Sequence, residues 1–208
     1  MKFFYKNENE LFNVLKDYKF ILFDLDNTIY NQDCFDLNQY NSFFLEYFDK
    51  NTSLDLSKKL LSRKKQLPYG YKNLFNDFLS DEDLKVDLNS FIKHYKNPNI
   101  NVLHKTSSLR DLIKRLFMES KELFLITNGY SYTQNIKIDS LQIRHLFKSI
   151  LILDPTNNIP LKPNDKALSF IDLIKKESIY IGDNLEIDKK FAKNSNIDFL
   201  HYQYTREC

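Results

Sequence analysis

Five short apolar runs constrain this chain more than anything else in it: residues 20–23, 123–126, 150–153, 179–181 and 197–200. Each is rich in Ile, Leu and Phe and too short to be a buried helix, so each reads as a strand. Apolar residues at consecutive strand positions mean that both faces are covered, as in a parallel sheet with helices on either side. The segments between them carry helical spacing. Leu109, Leu112, Ile113, Leu116 and Phe117 follow the i, i+3, i+4, i+7, i+8 pattern of a helix with one apolar face, behind candidate caps at residues 106–108. Further helices are expected over residues 132–141, 164–175 and 185–193. The alternation predicts an α/β fold, a doubly wound parallel sheet.

The alternation breaks after the first strand. Residues 31–105 have no strand signal and read as an inserted helical domain, leaving residues 1–30 and 106–208 for the α/β domain. Within the insertion, Leu37, Tyr40, Phe44, Tyr47 and Phe48 mark one helical face, Leu54, Leu60 and Leu61 a second, and Leu74, Phe75, Phe78 and Leu79 a third. A fourth helix is expected to begin at the capping sequence Ser80-Asp81-Glu82-Asp83 and to carry Leu84, Leu88, Phe91, Ile92 and Tyr95. These aromatic stripes are read as bundle core. The Asn-rich stretch 97–101 reads as a turn and hinge back to the sheet, and residues 1–19 as one amphipathic helix whose Leu11, Val14 and Leu15 pack on the sheet.

Composition removes several classes. With 42% hydrophobic and 15% aromatic residues the chain is globular rather than disordered, and 208 residues suffice for one substantial domain plus a smaller one. A net charge of +2 gives no electrostatic case for a nucleic-acid partner. The densest basic run, Ser62-Arg63-Lys64-Lys65-Gln66, is expected to be a solvated helix end. Cys34 and Cys208 form neither a CxxC pair nor a zinc spacing and fit a reducing, cytoplasmic compartment. Charge at Lys2 and Lys6 interrupts any signal-peptide core, and no apolar run reaches membrane-spanning length, so neither export nor a membrane is expected.

Polar residues gather where the strands end. Asp24 follows the first run directly, with Asp26 two residues on; Thr127 ends the second run, and Asp183 follows the fourth. In an open parallel sheet, ligands bind in the crevice outside the carboxyl ends of the strands. Any one of these acids alone could be a loop cap. Three strand ends aimed at one crevice are a stronger signal. Two of the chain's three glycines, Gly129 and Gly182, adjoin these ends, where backbone must approach a ligand closely.

These residues resemble the haloacid dehalogenase superfamily, whose short motifs are matched in order. Asp24-Leu25-Asp26-Asn27-Thr28 is similar to its nucleophile motif, Thr127-Asn128-Gly129 to its second, Lys162-Pro163 to its lysine motif, and Gly182-Asp183-Asn184-Leu185-Glu186-Ile187-Asp188 to its acidic fourth. The insertion 31–105 lies where the superfamily carries its type-one helical cap, and the motifs are similar to those of its nucleotidase and N-acylneuraminate 9-phosphatase-like members. The resemblance implies a phosphatase that uses Mg²⁺. Asp24 would be the nucleophile, forming a phospho-aspartyl intermediate, and Asp26 the general acid and base. Thr127 and Lys162 would complete the catalytic set, and Asn128, Gly129 and Thr28 would bind substrate. The metal set would be the carboxylates of Asp24 and Asp183 and the carbonyl of Asp26, with Asp188 orienting a metal-bound water or Lys162 rather than ligating directly.

Physical chemistry agrees with that assignment. A carboxylate attacking a phosphate dianion meets like charge, so a cation and a lysine must neutralise the site first. Donation of a proton to the leaving alkoxide calls for a carboxyl kept partly protonated near neutrality. Dehalogenation fits less well, because halide leaves without a proton and Asp26 would have no task. A sugar phosphomutase and a non-catalytic phosphate-binding module stand as alternatives. The expected substrate is a nucleotide or sugar phosphate, with Tyr30, Tyr69 and Tyr71 as lining residues; His94, His104, His145 and His201 share no ligand spacing and are given no role.

Overall fold

A computed structural model describes residues 8–68, 71–97 and 108–202. The expectations for Tyr69, the caps at 106–107, the hinge beyond Asn97, His104 and Cys208 lie outside these residues. The described residues divide into two compact units, residues 8–31 with 108–202 and residues 32–97.

The first unit is built on five strands: β1 (Phe20–Phe23), β2 (Glu122–Asn128), β3 (Ser149–Leu153), β4 (Ser178–Gly182) and β5 (Asp198–His201). All pair in parallel in the order β3-β2-β1-β4-β5. From the central β1 the chain winds outward through β2 and β3, then returns to β4 on the other side of β1. That reversal places the carboxyl ends of β1, β2 and β4 side by side. Strand side chains alternate between faces. Phe20, Leu22, Phe124, Ile126 and Tyr180 join one core cluster, while Ile21, Phe23, Leu123, Leu125, Ile179 and Ile181 are equally buried and alternate with them. Burial on both faces is why the runs of β1, β2 and β4 carry no charged residues, whereas the edge strand β5 carries the exposed Asp198.

The helices are α1 (Glu8–Leu15), α2 (Gln32–Phe44), α3 (Lys50–Gln66), α4 (Leu74–Asp81), α5 (Leu88–Lys96), α6 (Ser108–Met118), α7 (Ser131–Ser140) and α8 (Asp188–Ser195). In the sheet unit, α6 buries Leu109, Leu112, Ile113 and Leu116, but Phe117 is half exposed and does not join the face expected for it. Helix α1 packs against α6, with the Arg115 guanidinium 3.6 Å from the centre of the Phe12 ring. Leu11 and Leu15 are buried, whereas Val14 faces outward.

Residues 164–175 do not form the expected helix. They make a 3₁₀ run, Asp165–Phe170, and a second short turn at Lys175–Glu177. The Ser169 hydroxyl donates to the Lys166 carbonyl at 2.7 Å, and Ile171 adopts extended dihedrals, a side-chain bond that competes with helical hydrogen bonding. Tight turns still deliver Ala167, Leu168 and Ile171 to the core. Helix α8 starts three residues later than expected, because the Asn184 side chain accepts from the amides of Glu186 and Ile187 and holds a turn there.

The second unit is helical. Tyr40, Phe43, Phe44, Leu56, Leu60, Leu61, Leu74, Phe78, Leu79 and Phe91 form its core, and the Phe43 and Phe91 rings meet edge to face at 4.6 Å. Tyr47 and Leu54, expected on core faces, are exposed. The sequence Ser80-Asp81-Glu82-Asp83 ends a helix rather than starting one. Asp83 is left-handed at φ 47, and the Leu84 and Asp83 amides donate to the Leu79 and Ser80 carbonyls. That is the reciprocal pattern of a Schellman stop, with an Asp taking the usual glycine position. Helix α5 is capped instead by Asp87, which accepts from the Ser90 amide at 2.7 Å.

The basic run at the end of α3 is at least partly solvent-exposed, as expected, and also paired: Arg63 bonds Asp81 at 2.6 Å, Lys65 bonds Asp33 at 2.7 Å, and Lys64 bonds the buried Asp36. Cys34 is not a free thiol, which departs from the reading of reduced cysteines. No helix among the described residues is long and apolar enough to cross a membrane.

Candidate active site

The site begins where β1 runs out. The Asp24 amide donates to the Ile181 carbonyl at 2.8 Å, continuing the ladder with β4 by one residue and fixing the Asp24 backbone. The chain then folds on itself: the Thr28 and Ile29 amides both donate to the Leu25 carbonyl, and Asn27 takes a left-handed φ of 56, a conformation Asn tolerates.

Lys162 reaches this strand end from the loop after β3. Its ammonium donates to Asp24 Oδ1, Asp188 Oδ1 and the Tyr180 hydroxyl, each at 2.7 Å, which uses all three of its N–H bonds. The Tyr180 hydroxyl donates onward to the Ile126 carbonyl at 2.9 Å. The lysine backbone is held as firmly. Asn128, the last residue of β2, donates from Nδ2 to the Lys162 carbonyl at 3.2 Å and accepts the Lys162 amide at Oδ1 at 2.9 Å. The Asn128 side chain therefore clamps the lysine loop.

Asp188, the first residue of α8, spends both oxygens: Oδ1 on Lys162 and Oδ2 on the Asn184 amide at 3.1 Å. Gly182 makes room for it, since a Cβ at that position would lie 2.5 Å from Asp188 Oδ2. His201, at the end of β5, bonds through Nε2 to the Asp183 carbonyl at 2.8 Å. It is thus part of the scaffold, although sequence spacing gives it no role.

Helix α7 serves the other side. Gln134 Nε2 donates to the Thr127 hydroxyl at 2.9 Å, to the Asn128 carbonyl at 3.1 Å and to Asp26 Oδ2 at 3.2 Å. Lys137, one turn further and nearly buried, donates to Asp26 Oδ1 at 3.0 Å, as does the Tyr30 hydroxyl. Gly129 sits at φ 148, where a Cβ would crowd Gln134 at 3.0 Å. Asp154, after β3, anchors the start of α7 by accepting the Ser131 amide at 2.6 Å while its other oxygen takes the amide and hydroxyl of Thr156. Thr28 is fully buried, and its hydroxyl has no partner among the described residues.

Burial is the largest influence on Asp24 and raises its carboxyl well above the usual range; Lys162 opposes this, and the carboxylates of Asp188, Asp26 and Asp183 add to it. Burial also lifts Asp183 to about 7, again with Asp188 contributing. For Lys162 burial works downward, but Asp24 and its other neighbours win and the ammonium is held firmly protonated. Besides burial, three carboxylates face one ammonium, so the cluster carries excess negative charge when all three are ionised. Asp26 goes the other way. Burial would raise it, but Lys137, Tyr30 and Gln134 together lower it. This differs from the partly protonated carboxyl expected of an acid catalyst, and the main cause is Lys137.

Asp24, Asp183 and Asp188 each present an oxygen, and the three atoms lie within 4.8 Å of one another. A hard divalent cation with oxygen ligands suits such a set, and excess buried negative charge is what such an ion offsets. Asp24 retains Oδ2 for it and Asp183 its carboxylate. Asp188, held on one oxygen by Lys162 and on the other by the Asn184 amide, fits an orienting position.

Of the residues singled out by sequence, the structure gathers Asp24, Lys162, Asp183 and Asp188 into one cluster and Asp26, Thr127, Asn128 and Gly129 into an adjoining one built on α7. Gln134, Lys137, Asp154 and Tyr180 escaped sequence reading. The three-residue spacing of Gln134 and Lys137 on the predicted helix 132–141 was the one available signal, because two long polar side chains share a helix face that should otherwise be apolar.

The sequence profile of the haloacid dehalogenase-like hydrolases matches residues 21–202. A pyrimidine 5'-nucleotidase, PynA of Streptococcus pneumoniae, is 23% identical over 89% of this chain and 84% of its own length. A pyrophosphatase, PpaX of Listeria monocytogenes, is 24% identical over 84% of this chain and 78% of its own. Among solved structures, magnesium-bound YfnB of Bacillus subtilis superposes with a TM-score of 0.64 at 18% identity, covering 88% of this chain and 87% of that one. With the profile spanning nearly the whole chain, from the first strand to the last, this protein belongs to the haloacid dehalogenase-like hydrolases.

Proposed function

We propose that this hydrolase is a magnesium-dependent phosphatase that cleaves phosphomonoesters of small metabolites, with a phosphoryl group carried transiently on Asp24. The observation that carries the reading is the buried ion pair at the end of the central strand: Lys162 holds Asp24 at 2.7 Å, with Asp183 beside it. A lysine buried against a strand-end carboxylate is costly unless it does chemistry there.

Asp24 Oδ1, released by Lys162, attacks phosphorus as the bond to the ester oxygen breaks, leaving a phospho-aspartate and an alcohol. Lys162 offsets charge on the nucleophile and on the transferring oxygens. The Thr127 hydroxyl donates to the phosphoryl group beside the N-terminus of α7. Asp26 delivers the proton to the leaving oxygen and then takes one from the water that hydrolyses the phospho-aspartate. Magnesium, held by Asp24, Asp183 and the Asp26 carbonyl, would supply the charge neutralisation that lets a carboxylate approach a phosphate dianion. Asp188 keeps Lys162 and the Asn184 loop in place.

A nucleotide or a sugar phosphate is the substrate class we favour. The nucleotidase relative supports the first, and the helical unit, read as a cap that selects the substrate, is compatible with both. A screen of nucleoside monophosphates and sugar phosphates tests this, with phosphate release measured in Mg²⁺ and in EDTA for the wild type and Asp24→Asn. Turnover is expected only in metal. The variant should lose several orders of magnitude, since nothing adjacent replaces the nucleophile. Equal activity in Asp24→Asn would refute the mechanism.

A further inference from the structure

Lys137 and Gln134 lie three residues apart on α7 and so share one side of that helix. Both side chains are spent on the loop after β1. Lys137, with only 4% of its side chain exposed, gives Asp26 Oδ1 a donor at 3.0 Å, and Gln134 gives Oδ2 one at 3.2 Å. The same Gln134 amide also holds the Thr127 hydroxyl at 2.9 Å. A lysine that serves only to fasten a helix to a loop can pair with any surface acid and stay hydrated, which costs less than burial. This one is withdrawn from water and aimed at the side chain that the proposed reaction uses as its proton carrier.

We infer that Lys137 and Gln134 are positioning residues that fix the Asp26 carboxyl for proton transfer to the leaving group, with Oδ1 anchored and Oδ2 presented to the substrate. This rests on the phosphatase reading above. The choice of oxygen follows from donor counting. Oδ1 already accepts from Lys137 and from the Tyr30 hydroxyl, which fills both of its lone pairs. Oδ2 has the single longer contact from Gln134, an amide that keeps Thr127 and the Asn128 carbonyl when that contact is released. As the bond from phosphorus to the ester oxygen breaks, that oxygen takes its proton from the Oδ2 side of the Asp26 carboxyl. Asp26 is left as the carboxylate that Lys137 and Tyr30 already hold.

Aryl phosphates provide the test, because a good leaving group departs without a proton and a poor one does not. Release of 2,4-dinitrophenol, 4-nitrophenol and phenol is measured as kcat/KM, which reports transfer to Asp24 and not the later hydrolysis. Lys137→Met is expected to lose about 100-fold on phenyl phosphate and no more than about threefold on 2,4-dinitrophenyl phosphate, steepening the leaving-group dependence as Asp26→Asn does. In the Asp26→Asn background, Lys137→Met should change phenyl phosphate turnover by less than about threefold, because the lysine acts through that acid. Lys137→Arg should restore the shallow dependence.

A uniform loss across the three esters, or full additivity with Asp26→Asn, overturns the inference while leaving the phosphatase reading intact. If Lys137→Met does not fold, Lys137→Gln replaces it; failure of both to fold assigns the lysine to structure and overturns the inference as well. A wild type that turns over none of the three aryl esters and nothing in the metabolite screen defeats the phosphatase reading and the inference with it.

Discussion

At the scale of single residues, the site is decided by how many donors and acceptors each side chain has. Lys162 has three hydrogens and three acceptors at 2.7 Å. A substrate oxygen therefore meets no vacant donor and binds Lys162 only by exchange. Exchange against Asp24 is the productive one, because the same movement frees the oxygen of the nucleophile. Removing the lysine strands two buried carboxylates. Lys162→Met is expected to abolish turnover and to cost about 3–5 kcal/mol in urea unfolding. Gly182→Ala drives a methyl to 2.5 Å from Asp188 Oδ2, and a loss of about 1–3 kcal/mol is expected in the same assay. Sequence reading reached Asp24, Asp183, Asp188 and Lys162 because motif spacing names them. It could not reach Lys137, Asp154 or Tyr180, whose partners lie 111, 23 and 18 residues away and are brought near only by the parallel winding of the sheet.

The elements show where local rules read true and where they fail. The three inner strands were legible because burial on both faces leaves an uninterrupted apolar run, and the edge strands β3 and β5 because their short apolar stretches alternate with segments of helix length. Element ends were less so. Ser80-Asp81-Glu82-Asp83 has the composition of a start signal, yet Asp83 adopts a left-handed stop, a choice the sequence does not advertise without glycine. Residues 164–175 carry enough apolar positions for a helix, but Ser169 bonds back to the turn and diverts it. Asp154 is the anchor for α7, and Asp154→Asn should destabilise the protein by about 1–2 kcal/mol at neutral pH. Its carboxyl is held well below the usual range: burial would raise it, but the hydroxyl and amides of Thr156 and Ser131 prevail. A lowered folded value means that the contribution is complete above about pH 4, the ordinary carboxylate range, and is lost as pH falls below it. Urea melts of wild type and Asp154→Asn at pH 7 and at pH 3 should thus differ less at the lower pH.

Over the whole molecule, two cores can be perturbed separately. Phe91 is buried among aromatic rings of the helical unit, and Phe91→Ala is expected to remove about 3–5 kcal/mol. Hydrogen exchange should quicken across α2 to α5 before it does in the strands; simultaneous loss of protection everywhere would show that the two cores melt as one. The order of the strands has a consequence of another kind. The central strand is also the first to be synthesised, and both its neighbours come later in the chain. Asp24 leaves the ribosome 138 residues ahead of Lys162, which at about 5–20 residues per second is a wait of roughly 7–28 s. Until β2 is made the most apolar strand has neither flank covered, and the flank that β4 takes stays open beyond Lys162. The nascent chain is thus at its most aggregation-prone well before it holds the parts of an active site, and a ribosome stalled before β4 should present β1 to chaperones rather than to a finished sheet.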